Sequence, residues 1–158
     1  MNIIDLLNNV AKRVSANVFG VNWGGCCVFA SLVAERLQHL MPDMQIVVID
    51  HDGWVLDLDK VRPQIEHNDP FTWRDNGVFF NHIIQFVLDG KKYHYDSKGV
   101  QTAGNSGYYD ILLGSLTVAE ATELAETPTG WNPAFDRHQI PEMRRIINEA
   151  FDVAFWAK

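Results

Sequence analysis

The stretch VFFNHIIQFVLDGKKYHYDS, Val78–Ser97, holds two aromatic and β-branched runs on either side of Asp89-Gly90. An Asp-Gly pair between such runs is the sequence mark of a β-hairpin. Turn length then decides which residues share a face, because a slip of one residue moves a whole strand to its other side. A two-residue turn pairs Leu88 with Lys91, sets His82 against Ser97, and puts His82 and Asp96 on opposite faces. A three-residue loop, Leu88-Asp89-Gly90 with a left-handed Gly90 in a bulge, pairs Val87 with Lys91 instead. It brings His82 opposite Asp96, with His94 beside them. Gly90 at the third loop position suits this second geometry, so the three-residue loop is the expectation.

Working outward, helical spacing governs both ends of the chain. Ile3, Leu6, Leu7, Val10, Ala11 and Val14 recur on one face over residues 3–16. After Gly20, Gly24 and Gly25, a second helix is expected from Cys26 to about Met41, with Phe29, Ala30, Val33, Leu37 and Leu40 as its stripe and Pro42 as its stop. MQIVVID (Met44–Asp50) reads as a buried strand. Residues 57–76, polar and holding Pro63 and Pro70, read as an irregular connection. Thr117 with Glu120 is a capping-box pattern opening a helix to about Glu126. Pro141 suits the first turn of a last helix running to about Trp156. The order predicts an α+β fold on a largely antiparallel sheet, in one domain over residues 1–158.

The totals narrow the function classes. At 158 residues the chain can bury roughly 70% of its unfolded surface without staples. A net charge of −7 argues against a nucleic-acid partner, since phosphate backbones reward the opposite sign. No apolar run reaches the length of a membrane span. MNIIDLLNNVAKRV lacks a basic n-region and a cleavage site, so no secretory signal is expected. The only two cysteines are adjacent, which rules out an internal disulfide framework and suits a reducing, cytoplasmic setting.

Those cysteines carry the candidate chemistry. Cys26 and Cys27 follow Gly24-Gly25 at a helix start, where N–H groups and the helix dipole favour a thiolate. His82 can supply a base, and Asp96 can fix its tautomer. The glycines can leave backbone N–H groups for an oxyanion.

GGCCVFASLVAERL resembles the nucleophile helix of the transglutaminase-like superfamily, with Gly24, Cys26 and Ala30 in the matching places. NHIIQFVLDGKKYHYDSKG resembles that superfamily's His strand, turn and Asp strand, with His82 and Asp96 matching. The same stretch is similar to the NlpC-type cell-wall endopeptidases, whose second His would be His94. The resemblance covers roughly residues 20–100. The spacing from Cys26 to His82 is longer than is usual in transglutaminase-like proteins, and the Asp-Cys-Ser-Gly signature of the NlpC type is absent. It implies a papain-like core, with the nucleophile helix packed on the sheet and further helices at the C-terminus. It also implies a Cys-His-Asp thiol hydrolase acting on a peptide or protein, without a cofactor. Cys26 is then the nucleophile, favoured by the motif and by the Phe29 stripe, with Cys27 as the alternative. Asn22, Trp23 and Gly25 would bind the oxyanion or shape the groove.

Rival readings use the same atoms. The close second is acyl transfer to an amine. A third reading is a catalytically silent papain-like fold that binds a peptide or protein. The cysteines can also be small core residues, His82 a satisfied core histidine, and Asp96 a cap on the turn DSKG. Adjacent cysteines with scattered histidines do not match a zinc site. DHDGWVLDLD (Asp50–Asp59) lacks the EF-hand spacing for calcium.

Overall fold

A computed structural model describes residues 2–21, 24–54, 79–102, 112–126 and 135–156. Helix α1 (Ile3–Asn17) opens on Asn2, whose side chain accepts from the Ile4 N–H at 3.0 Å. It buries Leu6, Leu7, Val10, Ala11 and Val14, the predicted face. Helix α2 (Cys26–Leu40) is different in kind. Nine of its residues are buried, including Cys27, Ser31 and Ala34, so it is a central helix covered on nearly every side. The narrow stripe through Phe29 and Val33 therefore does not distinguish Cys26 from Cys27, because both sides of the helix are inside.

Strands β1 (Ile46–Trp54), β2 (Phe79–Leu88), β3 (Lys91–Asp96), β4 (Gly99–Thr102) and β5 (Leu112–Leu116) form one sheet in the order β4-β3-β2-β1-β5, antiparallel at every step. Helix α3 (Val118–Glu126) starts with the predicted capping box. Thr117 N donates to Glu120 Oε2 at 2.7 Å, and Glu120 N to Thr117 Oγ1 at 3.2 Å. A short 3₁₀ turn (Arg137–Gln139) leads into α4 (Ile140–Trp156), with Pro141 in its first turn. The fold is α+β. The connection read over residues 57–76 lies outside the described residues.

The β2–β3 register corrects the loop expectation. Leu88 pairs with Lys91, so the turn is Asp89-Gly90 alone, with φ of 50° and 74°. Both central residues are left-handed, as a type I′ turn requires. The physical reason is the core. This register places Ile84, Phe86, Tyr93 and Tyr95 on one face, where Ile84, Phe86 and Tyr95 are buried. The three-residue loop would have paired Ile84 with His94 and Phe86 with Lys92, carrying a histidine and a lysine to that apolar face. Tyr95 fixes the choice. Its hydroxyl donates to the Leu7 carbonyl at 2.9 Å, and its ring centroid lies 5.6 Å from that of Phe29.

That face of the sheet packs on α1 and α2. The cluster continues through Ala121 and Ala125 of α3 and Met143, Ile146, Ile147, Ala150 and Phe151 of α4. The apolar stripe of α4 is therefore part of the core. Ion pairs such as Arg13–Glu149, at 3.0 Å between half-exposed partners, add little to it.

Candidate functional site

Cys26 is the first residue of α2 and is half-buried, while Cys27 behind it is buried; neither is in a disulfide. Their environments separate them chemically. Burial first, and then the charge of neighbouring Cys26, push the Cys27 thiol from 9.0 up to about 12, against a weaker opposing pull from the Val28 N–H. Cys27 therefore stays a neutral thiol near neutral pH, with Sγ toward the Gly24 carbonyl at 3.9 Å. Cys26 is the less buried of the two.

The segment ahead of α2 is closely held. Gly24 has φ +99°, a conformation that suits glycine. Gly25 is buried under Phe135, and an added Cβ would lie 2.8 Å from two of its ring carbons and 2.9 Å from Val21 Cα. The Gly25 N–H donates to the Gly20 carbonyl at 3.2 Å. Gly25 thus serves packing and the loop, and its N–H is not available to an oxyanion. The first internal bond of α2 runs from Phe29 N to Gly25 O. The N–H groups of Cys26, Cys27 and Val28 precede it and belong to the electropositive end of the helix. One residue before Gly20, Phe19 is clamped from both sides by Gln139. Its N–H donates to Oε1 at 2.8 Å, and its carbonyl accepts from Nε2 at 2.9 Å. Asn22 and Trp23 lie outside the described residues.

His82 is 1% exposed and stands on β2 two residues before Ile84, on the helix-facing side. Helix and strand run in the same direction. Near one end, Phe29 of α2 meets Tyr95, the partner of Ile84. At the other, Leu40, Val87 and Leu88 line one groove of about 450 Å³. Three residues back from Phe29, about 4.5 Å of helix, is Cys26. Two residues back from Ile84, about 6.6 Å of strand, is His82. The two elements thus carry Cys26 and His82 toward the same end of the layer.

Asp96 and His94 are not brought to His82. In the observed register Asp96 takes the parity of Ile83, and His94 that of Gln85, so both belong to the opposite face of the sheet. His94 Nε2 and Gln85 Oε1 lie 3.2 Å apart. Asp96 is buried, and its Oδ1 accepts from the Lys98 N–H at 2.8 Å, tying down the β3–β4 turn. Burial raises its carboxyl above the usual range, against a smaller opposing effect from that Lys98 N–H. What a reading of the hairpin alone missed is the strand on the other side of β2. The register of β1 sets Asp50 directly opposite His82. The signal was the acidic residue closing the apolar run MQIVVID.

Among the described residues no three His, Cys, Asp or Glu side chains are grouped so as to hold a metal ion, and no helix is long and apolar enough to cross a membrane. No family model, curated protein or solved structure matches the chain.

Proposed function

We propose that this protein carries out thiol-dependent acyl chemistry on a papain-like core, with hydrolysis of an amide or peptide bond as the first reading. Cys26 sulfur attacks the acyl carbonyl and forms a C–S bond. His82 takes the thiol proton and returns it to the leaving amine as the C–N bond breaks. Water then resolves the acyl-enzyme, with His82 as base. Acyl transfer differs only in that an amine replaces water at the last step. A cysteine nucleophile outside any disulfide also suits a reducing compartment such as the cytoplasm.

One observation carries this reading: a half-buried cysteine at the start of a central helix, on a layer whose α2 and β2 lead Cys26 and a buried His82 to one end. The separation of His82 from Asp96 favours the second reading, a silent fold that binds a peptide or protein. Iodoacetamide labelling at about pH 6, located by mass spectrometry, decides between them. Fast labelling of Cys26 that is lost in His82→Ala supports the enzyme. Labelling at the rate of an ordinary thiol, unchanged by His82→Ala, supports the silent fold.

A further inference from the structure

We propose that Asp50 is the positioning residue for His82, the part that the hairpin sequence assigns to Asp96. This inference rests on the acyl-chemistry reading above. A buried imidazole that must pass a proton needs one ring nitrogen held, so that the other meets the thiol. His82 sits on the central strand of the sheet, between β3 and β1. On the β3 side the register runs out. The position opposite His82 would be Ser97, beyond the end of β3, and its carbonyl is taken by the Ser15 hydroxyl at 2.9 Å. On the β1 side the position is filled: Asp50 is the direct partner of His82. Direct partners in an antiparallel pair belong to one face, with Cβ atoms about 4.5–5.5 Å apart, nearer than any diagonal pair. The strand beyond offers Gly114 as the other partner of Asp50. Glycine brings no side chain to compete for that space. Asp96 is on the opposite face and already holds the Lys98 N–H.

Two readouts on the intact chain test the assignment. Long-range proton–nitrogen NMR on ¹⁵N-labelled protein reads the His82 tautomer, with His82→Ala to assign the signal. Iodoacetamide labelling at about pH 6 reads the reactivity of Cys26. The wild type is expected to show one tautomer and fast labelling. Asp50→Ala should give a mixture of tautomers and a rate lower by at least about tenfold. Asp50→Asn, which keeps the shape and an acceptor oxygen but not the charge, should fall between, and it carries the test if the alanine variant does not fold. Asp96→Ala should label within about twofold of wild type. A wild-type tautomer and rate in the Asp50 variants, or the loss appearing in Asp96→Ala instead, overturns the proposal. If wild-type Cys26 labels no faster than a free thiol, the acyl reading fails. The tautomer comparison still decides what Asp50 does.

Discussion

Leu88 pairs with Lys91 across Asp89 and Gly90, and this register separates His82 from Asp96. The turn itself is the first place to test it. Gly90 has φ +74° and open space where a Cβ would go. Gly90→Ala should therefore cost only the strain of a left-handed alanine, about 1 kcal/mol, read from urea unfolding. Asp89→Asn, better suited to φ 50°, should be neutral or slightly stabilising.

Gly25 poses the opposite problem, a lack of room. Gly25→Ala should destabilise by about 1–3 kcal/mol, because the methyl meets the Phe135 ring. Phe135→Leu in the same chain should recover only part of this. The Val21 backbone, also in the way, cannot yield as a side chain does. A double-mutant cycle by denaturant unfolding measures the recovery.

Alkaline pH should unfold the protein through groups that burial keeps protonated. The Cys27 thiol stands at about 12 when folded against 9.0 unexposed to the fold. Its contribution is therefore whole below pH 9.0 and lost as pH rises toward about 12. Tyr95, raised by burial and then by the charge of Asp96, acts with the same sign. Urea midpoints measured from about pH 8 to 11 should fall for wild type and fall less for Cys27→Ala.

Asp96 gives an acid-side counterpart. Burial raises its carboxyl, so the folded state prefers the protonated form, and stability is lost as pH rises from the acid range. Asp96→Asn keeps an acceptor for the Lys98 N–H and should match or exceed wild-type stability at neutral pH, with the difference vanishing in acid. Asp96→Ala loses that bond and should cost about 1 kcal/mol.

The capping box at α3 should be worth about 1 kcal/mol. Thr117→Ala removes one of its two reciprocal hydrogen bonds, and thermal unfolding will show the loss.

Much of this architecture was legible in the chain. The periods over residues 3–16 and in the last helix, the capping box and the hairpin all rest on local rules, and each element stands where those rules put it. The turn length was not local. Asp-Gly serves both a two-residue turn and a bulged loop, and the choice was made by which strand residues the helices could bury. Ile84 with Tyr95 satisfies α1 and α2, whereas Ile84 with His94 would not. Ser31, on the Cys27 side of α2, is polar and yet lies inside, because its hydroxyl is satisfied by the Val28 carbonyl at 3.0 Å. The partner of His82 in β1 comes from a strand more than thirty residues earlier, and no spacing rule within the hairpin could point to it.

The two bonds between Phe19 and Gln139 give the C-terminal third a mechanical part. Gln139 closes the turn that launches α4, and Phe135, just before it, lies on Gly25. The turn ahead of the last helix is thus a splint for the segment before Cys26. Ending the chain before Phe135 would spare Cys26 and His82 themselves and still unbrace the helix start that carries Cys26.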